Sequence, residues 1–535
     1  MADAANLLTF DEFISHWGVD RPDRLALREE DRFWSYADLE ERTARVAAFL
    51  KKEGVKKGER ICWIGKNSDL YFTLFYGAAR LGVVMAPIGW RLAAPEWAYI
   101  VNDTQSKLVF TGPGFEGVEA ALAGQLAHNP RFINTAEARE ILDKTDRVAF
   151  EAAGPDDAVL QLYTSGTTGN PKGVELSNRN LFALRKGTAD SGLAYTQWED
   201  DEVVLVAMPC AHIGGTGLGV MALASGLPGY VLAEFTPDGL FDAIETGGVT
   251  RFFIVPAALH ILLQHPRCAT VDYSRLKYIL YGAAPIPLEL LRQCIKMFGC
   301  EFIQNYGMTE TTGTIIMLPP EDHDPNGNQR MRSAGKPLPG VEIKIVDGEG
   351  KQVPTGEVGE LVTRSSNNML GYWNLPDATQ KTLTKDGWVH TGDAGYVDED
   401  GYLYICKVRS YGRNWTENIK NTLELEELCD RYNGDDGIVD VYSTNPNLKG
   451  IYNYGALMYI ESKEDYDNWY GYKQLERLIP EIKKELDTWD NRDNVPFMHR
   501  PTFKPMYTRG DLANYELQLG VYDMSFVPPK SYNDL

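Results

Sequence analysis

The sequence predicts an α/β protein whose large N-terminal domain contains layered sheets with flanking helices. Short apolar runs alternate with helical stretches over most of residues 1–406, and that alternation is typical of sheets covered by helices. The chain has 535 residues, more than one hydrophobic core usually organises, so we expect more than one domain. The runs expected to form strands are residues 59–67, 107–112, 203–209, 229–235, 251–256, 277–285 and 301–307.

Two stretches near the N-terminus carry helical patterns. Residues 8–53 repeat apolar side chains at helical spacing, with Asp11 as a candidate cap and Gly54 as a stop signal, so we expect helix there. Residues 69–90 are predicted to form a helix that leads into a further apolar strand.

The composition of the chain then changes twice. Glycine-punctuated runs such as residues 341–350 predict a β-rich subdomain over about residues 335–406. Residues 411–535 hold thirteen of the 28 tyrosines and are rich in Asn and Asp. We therefore place a boundary after Cys406 and predict a large domain at 1–406 and a small one at 407–535.

Charge and composition disfavour several classes of protein. The formal net charge of −22 makes nucleic acid an unfavourable main partner, because phosphate backbones are anionic. No apolar run reaches the length of about 18 residues that a membrane span needs, and no basic segment precedes an apolar run at the N-terminus. We expect a cytoplasmic protein. The seven cysteines form no CxxC pair, which argues against a disulfide framework and a zinc site.

The strongest chemical signal is the segment Leu162–Gly173, where a β-like run opens into a loop of hydroxyl residues and glycines. Glycine lets the backbone approach a ligand closely, so that successive N–H groups can cradle phosphate while the hydroxyls and a lysine add donors. A polar surface turn is the alternative, but so many hydroxyl residues interleaved with glycine are unusual in one. The candidate phosphate ligands are Thr164, Ser165, Gly166, Thr167, Thr168, Gly169 and Lys172.

This loop resembles the phosphate-binding signature of the adenylate-forming superfamily, which comprises acyl-CoA synthetases, adenylation domains of nonribosomal peptide synthesis and luciferases. Residues 306–311, YGMTET, are similar to the adenine and magnesium motif of that family. The resemblance implies that Tyr306 lies against the adenine, that Thr309 contacts the α-phosphate and that Glu310 holds Mg²⁺, for which a hard oxygen ligand is suitable. Read alone, the segment could be a strand end with a solvated acid.

Two further motifs follow the family's order. Gly282, Ala283 and Ala284 resemble the turn that lines both the adenine and the acyl pockets, for which a plain strand-to-helix turn is the alternative. Asp393 resembles the acid that accepts hydrogen bonds from the ribose, although most such aspartates merely close turns.

For the acyl group, the segment Met208–Gly215 is similar to the one whose aromatic or histidine residue gates the carboxylate pocket. It supplies His212, Gly214 and Gly215, and Gly307 is the further substrate-binding candidate. A lone histidine is more often structural. The apolar, glycine-rich run after His212 would leave room for an alkyl chain, so we favour a fatty acid over an aryl acid.

The resemblance implies a reaction and its cofactors. The substrate carboxylate attacks the α-phosphorus of ATP, pyrophosphate leaves, and a thiol, usually that of CoA, then displaces AMP. ATP, Mg²⁺ and CoA are the expected cofactors, and a small carboxylic acid is the expected substrate. No protein nucleophile is required, so catalysis rests on positioning and charge stabilisation. The expected catalytic residues are Lys172, Thr309, Glu310 and His212.

The C-terminal part departs from the family pattern, although its order of elements still predicts a small α+β domain. Lys407 stands where the family has an acidic hinge residue, and Arg409 is one residue away from the expected ribose-binding position. Residues 417–419 keep a family loop without its glycines, and Asp511 falls where the family places its adenylation lysine. A carboxylate there would repel the reacting carboxylate and the α-phosphate.

Two hypotheses from different classes remain. The first is an acyl-CoA synthetase, with a homodimer as a further hypothesis. The second is a catalytically impaired or non-catalytic protein that binds nucleotide or acyl groups, or a chimeric or redesigned chain with a degenerate C-terminal segment. A dehydrogenase or P-loop NTPase lacks support, because no GxGxxG follows the first strand and no GxxxxGK[ST] occurs.

Overall fold

The computed structural model describes residues 3–164 and 170–406 and, further along the chain, the strands at 439–443 and 454–458. The chain divides into two units, residues 1–407 and residues 408–535.

The first unit is built from helices and strands in alternation. The helices of the described residues are α1 (Phe10–Asp20), α2 (Tyr36–Lys52), α3 (Asp69–Arg80), α4 (Ala94–Thr104), α5 (Val118–Ala121), α6 (Thr135–Lys144), α7 (Asn178–Phe182), α8 (Leu184–Asp190), α9 (Ile213–Ala224), α10 (Pro237–Glu245), α11 (Pro256–Gln264), α12 (Leu288–Phe298) and α13 (Pro376–Thr382). None of them is long and apolar enough to cross a membrane.

The strands include one inside each run that the sequence singles out. They are β1 (Leu25–Glu29), β2 (Arg32–Ser35), β3 (Arg60–Ile64), β4 (Val84–Ile88), β5 (Leu108–Thr111), β6 (Arg131–Asn134), β7 (Ala158–Thr164), β8 (Lys172–Ser177), β9 (Val204–Val206), β10 (Gly229–Val231), β11 (Arg251–Ile254), β12 (Tyr278–Gly282), β13 (Glu301–Met308), β14 (Gly313–Leu318), β15 (Lys336–Pro337), β16 (Glu342–Val346), β17 (Gly359–Arg364), β18 (Gly371–Tyr372), β19 (Val389–Val397), β20 (Leu403–Cys406), β21 (Val439–Ser443) and β22 (Tyr454–Met458).

Two large sheets dominate the first unit. The nine-stranded sheet has the order β15-β14-β13-β12-β11-β9-β10-β1-β2, and the seven-stranded sheet has the order β18-β8-β7-β4-β3-β5-β6. The inner strands of both sheets pair in parallel. In each of these sheets, the carboxyl ends of the parallel strands therefore lie along one edge, where ligands of α/β proteins usually bind. The predicted α/β class with layered sheets is confirmed.

Smaller sheets complete the described structure. Strands β16, β17, β19 and β20 form a four-stranded antiparallel sheet, inside the segment that the sequence marks as β-rich. That segment also supplies β15 to the nine-stranded sheet and β18 to the seven-stranded one, which its local pattern does not reveal. In the second unit, β21 and β22 form an antiparallel pair.

The expectation of continuous helix over residues 8–53 is wrong in its middle, where β1 and β2 separate α1 from α2. The caps are Thr9 and Ser35, each of which closes a capping box, whereas Asp11 pairs with Arg80 at 2.7 Å. Strand β1 prevails over local helical spacing because it pairs in parallel with β10, far along the chain.

Helix α3 lies at the centre of the main core. Every one of its residues is buried, as expected for a helix enclosed on all sides. The cluster around it contains side chains from both large sheets, including Leu27 and Val206 from one and Trp63 and Leu160 from the other. Burial of this helix thus fixes the two sheets on a shared core.

A buried carboxylate pair ties strand β1 to the start of α3. Glu29 Oε2 accepts the Asp69 backbone N–H at 2.8 Å, and Asp69 receives Arg139 Nη2 at 2.6 Å and Trp34 Nε1 at 2.7 Å. Burial, with Asp69 alongside, raises the pKa of Glu29 to about 7. Burial also opposes ionisation of Asp69, but hydrogen bonds from Glu29 and Arg139 outweigh it and hold the Asp69 pKa below its usual range. The pair therefore retains a proton on Glu29.

We expect Glu29→Gln to flatten the dependence of stability on pH. Because the folded pKa is raised, stability from the retained proton is present below the ordinary glutamate pKa and is lost as the pH rises through about 7. Urea unfolding between about pH 5 and about pH 8 should show a smaller fall in unfolding free energy for the variant than for the unsubstituted chain. Glu30→Gln, at the exposed neighbour, is the control, and equal pH dependence in all three proteins would contradict this assignment.

Candidate active site

The hairpin of β7 and β8 carries the two described ends of the predicted phosphate loop. Thr164 and Lys172 are partners in its register, and the loop residues 165–169 lie outside the described part of the chain. Gly173 is required here, because a Cβ at this position would lie 2.4 Å from Gln161 Nε2.

A buried ionic network centred on Arg60 supports this hairpin, and no local sequence pattern predicts it. Arg60 forms an ion pair with Glu175, donates from Nε to Gln161 Oε1 at 3.1 Å and lies 3.2 Å above the ring of Trp373. Burial raises the pKa of the Glu175 carboxyl, and Arg60 acts in the opposite direction. Removing one partner would leave the other charge buried and uncompensated.

Glu310, the predicted magnesium ligand, lies in a short 3₁₀ turn, Thr309–Thr311, at the carboxyl end of β13. It is 5% exposed, and its Oε1 accepts the Tyr372 hydroxyl at 2.7 Å. Burial raises the pKa of Glu310, while Tyr372, the charge of Lys172 and the side chain of Thr164 lower it. Of the predicted phosphate residues, Thr164 and Lys172 therefore lie close to Glu310, the predicted metal ligand.

The predicted adenine and ribose residues also meet. The Tyr306 hydroxyl donates to Asp393 Oδ2 at 2.7 Å, which joins β13 to β19. Burial and the Asp393 carboxylate raise the pKa of Tyr306 well above its ordinary value, so the hydroxyl remains a donor. Thr391 Oγ1 accepts the Asp393 backbone N–H at 3.1 Å and helps to hold the turn.

Strands β12 and β13 approach each other and their neighbours very closely at the glycines. A Cβ at Gly282 would lie 2.1 Å from Asn305 O, and one at Gly307 would lie 1.9 Å from Gly313 O. Glycine is thus required at both positions because backbone atoms of the protein itself leave no room for a side chain. Ala283 follows with a φ of 62°, a left-handed conformation that is strained for a residue with a Cβ, and Ala284 beside it is exposed.

Asn305 is a site residue that the sequence reasoning missed. Its Oδ1 is buried and has no hydrogen-bond partner among the described atoms, although a buried acceptor is normally satisfied. It lies directly before Tyr306 and pairs with Gly282 in the sheet. A polar residue directly before Tyr306, a predicted site residue, is the signal that could have identified it.

His212 precedes α9 and lies beside the strand-end residues through its neighbour Ile213. An added Cβ at Gly313 would meet Ile213 Cγ1 at 3.3 Å, and Gly313 in turn faces Gly307. His212 is exposed, yet the protein atoms crowded around it lower its pKa. The imidazole is therefore neutral over a wider pH range than a fully hydrated one.

Three glycines of this segment, Gly214, Gly215 and Gly219, do not leave the open space that we expected for an alkyl chain. A Cβ at Gly215 would lie 2.3 Å from Met208 O, one at Gly214 would lie 2.9 Å from Phe253, and one at Gly219 would lie 2.3 Å from Phe72. Aromatic rings and backbone thus occupy the glycine faces, which a sequence pattern cannot reveal.

Asn67, another residue that the sequence reasoning missed, holds the start of this segment. Its Nδ2 donates to Met208 O at 3.0 Å, and its Oδ1 accepts the Cys210 backbone N–H at 2.7 Å. Asn67 follows β3 of the seven-stranded sheet, whereas Met208 follows β9 of the nine-stranded sheet. One side chain thus fixes the segment before His212 to the opposite sheet.

The remaining site predictions fall outside the described residues. They are Ser165, Gly166, Thr167, Thr168, Gly169, Lys407, Arg409, residues 417–419 and Asp511.

The residues present fit Mg²⁺ that is held mainly by a nucleotide. Within residues 3–164 and 170–406, no group of three or more His, Cys, Asp or Glu side chains could hold a metal ion. Mg²⁺ keeps several waters and commonly binds through one or two carboxylates plus substrate phosphates. The single buried carboxylate of Glu310, close to Thr164 and Lys172, matches that pattern.

Comparison with known proteins agrees with this geometry. A family model described as "AMP-binding enzyme" matches residues 14–373. The chain belongs to this family. Its similarity to the fatty acid–[acyl-carrier-protein] ligase ScoC of Streptomyces coeruleorubidus is 38% identity over 403 residues, 75% of this chain and 77% of that protein. Feruloyl-CoA synthase of an Amycolatopsis species is 34% identical over 400 residues, 73% of this chain and 78% of the relative.

Solved structures give the same family. The inhibitor-bound N-terminal domain of FACL13 from Mycobacterium tuberculosis superposes with a TM-score of 0.68 at 30% identity, covering 75% of this chain and 99% of that one. Together these relatives confirm the predicted family and the predicted enzyme class, an AMP-forming acid–thiol ligase.

Gly307→Ala should destabilise this AMP-binding enzyme by about 1–3 kcal/mol or more, because the new Cβ forces β13 away from Gly313. Gly117→Ala is the matched control, since nothing lies within 4 Å of a Cβ there and only a small change is expected. Urea unfolding of both variants would measure the difference. Equal unfolding free energies for the two variants would contradict the close backbone packing at these strand ends.

Proposed function

We propose that this chain activates a carboxylic acid with ATP, forming an acyl-adenylate and pyrophosphate, and then transfers the acyl group to the thiol of CoA. The observation that carries the proposal is the convergence of Lys172, Thr164 and Glu310 at one point. A positive charge, a hydroxyl and a buried carboxylate at the end of a phosphate-type loop suit a nucleotide triphosphate with Mg²⁺ better than a structural ion pair.

Each side chain has a distinct role in the proposal. Lys172 neutralises charge on the β- and γ-phosphates, and Thr309 donates to the α-phosphate where charge develops. Glu310 would hold Mg²⁺, which would supply neutralisation of charge on the phosphates. His212, at the edge of the acyl segment, has a lowered pKa and is therefore uncharged. It positions the substrate carboxylate for attack without forming an ion pair with it.

The nucleoside is recognised by the other half of the site. The unpartnered Oδ1 of Asn305 is an acceptor suited to the exocyclic amine of adenine. The ring of Tyr306 lies against the base while its hydroxyl holds one oxygen of Asp393. The Asp393 carboxylate accepts hydrogen bonds from the ribose hydroxyls.

A medium- or long-chain fatty acid is the proposed substrate. The relative that is 38% identical is a fatty acid ligase, whereas the feruloyl-CoA synthase is 34% identical. An aryl acid is the alternative substrate, and acyl carrier protein is the alternative acceptor. A cytoplasmic location and a homodimer stay predictions from the sequence.

Lys172→Met should lower the rate of pyrophosphate release by about a hundredfold, the usual cost of removing one donor to a developing charge. Release would be measured with ATP, Mg²⁺ and a panel of fatty and aryl acids, with and without CoA. The control is Lys351→Met, at an exposed lysine of the β-rich segment, which should leave the rate unchanged. Acid-dependent release that survives Lys172→Met in full would overturn the site assignment.

A second candidate function is binding of nucleotide without catalysis, favoured by the acid at Asp511 in the sequence. If Asp511 occupies the position of the adenylation lysine, Asp511→Lys should raise acid-dependent pyrophosphate release by about tenfold or more, because it replaces a repulsive charge with an attractive one. Absence of any gain would count against that placement. Saturable ATP binding with no release in either protein would favour the binding function.

A further inference from the structure

Tyr372 lies beside Glu310 and Lys172, in the phosphate half of the proposed nucleotide site, at a position that the motifs do not mark. It belongs to β18, which pairs with β8 through Gly371↔Glu175 and Tyr372↔Val174. Tyr372 is 7% exposed. Its backbone N–H donates to Thr379 Oγ1 at 2.9 Å, so the backbone is held on both edges and the side chain has little freedom to move.

This side chain contacts both predicted ionic residues of the site. Its hydroxyl donates to Glu310 Oε1 at 2.7 Å, and its ring centre lies 4.9 Å from Lys172 Nζ. A hydrogen bond to one oxygen of a carboxylate restricts the rotation of the group and so sets the direction of its remaining lone pairs. A cation above an aromatic face is attracted to it. Tyr372 therefore orients both the Glu310 carboxylate and the Lys172 ammonium group.

A satisfied core tyrosine is the plain alternative, because a buried hydroxyl normally finds a partner. The geometry argues for more than that. The hydroxyl's partner is a carboxylate, which is itself costly to bury unless other groups compensate it. The chain holds Tyr372 in place by pairing β18 with the phosphate-loop hairpin and not with the strands around it in sequence.

We propose that Tyr372 is a positioning residue of the nucleotide site, whose hydroxyl orients the Glu310 carboxylate toward Mg²⁺ and whose ring restrains Lys172 for the phosphates. This inference rests on the proposed function. The two contacts act separately, so a variant that removes only the hydroxyl affects metal binding, and a variant that also removes the ring affects phosphate binding as well.

The test uses the full chain and binding of α,β-methylene-ATP, measured by isothermal titration calorimetry over a series of Mg²⁺ concentrations. Tyr372→Phe should raise the Mg²⁺ concentration needed for half-maximal binding by at least about fivefold, while leaving affinity at saturating Mg²⁺ within about twofold. Tyr372→Leu should also weaken affinity at saturating Mg²⁺ by at least about threefold. In pyrophosphate release, Tyr372→Phe should change the Mg²⁺ requirement more than the limiting kcat.

Tyr36→Phe is the matched control, because the Tyr36 hydroxyl also makes a buried hydrogen bond, to Leu227 O at 3.0 Å, away from the site. It should lower thermal stability without changing the Mg²⁺ requirement. In a double-mutant cycle, Tyr372→Phe should add little to Glu310→Gln, since both act on the same metal contact.

The outcomes are distinguishable. An unsubstituted chain that binds the analogue, together with a Tyr372→Phe variant that has an unchanged Mg²⁺ requirement, would overturn the inference alone. The same holds if Tyr372→Phe and Tyr36→Phe shift that requirement equally. An unsubstituted chain that does not bind the analogue would overturn the proposed function and the inference with it.

Discussion

The buried carboxylate of Glu310 is the constraint on which the site depends. A carboxylate that is 5% exposed is stable only where donors and positive charge surround it. Tyr372 and Thr164 supply the donors and Lys172 supplies the charge. All three come from the seven-stranded sheet or its hairpin, whereas Glu310 lies in the turn that follows β13 of the nine-stranded sheet. Satisfying one acid therefore closes the two sheets around the position where the phosphates would lie.

The distance between the sheets is set elsewhere, by the core around α3. That helix is buried along its whole length, and polar contacts at its start register one sheet against the other. Glu29 of β1 accepts the Asp69 N–H, and Asn67 bonds the backbone on both sides of Pro209. The Asn67 contacts, which lie just before α3 in the chain, fix the segment that leads to His212. The acyl and phosphate segments are consequently positioned by the same helix.

Close backbone packing makes the strand ends rigid. Gly282 and Gly307 face carbonyl oxygens of neighbouring strands so closely that no larger residue fits. The left-handed Ala283 and the unpartnered Oδ1 of Asn305 lie in the same small region. Strain and an unsatisfied acceptor are unfavourable for folding by themselves, and both are typical of a site prepared for a ligand.

The sequence by itself determined the local chemistry of the candidate site. The hydroxyl and glycine loop, YGMTET and Asp393 are contiguous signals, so the family, the α/β class and most of the candidate site residues could be proposed from them. Tertiary structure alone decided which distant segments meet. The roles of Tyr372, Arg60 and Asn67, the interruption of the N-terminal helix by β1, and the aromatic rings that fill the glycine faces near His212 all depend on partners far away in sequence. Pairing between distant strands is driven by burial and hydrogen bonding that no local pattern records.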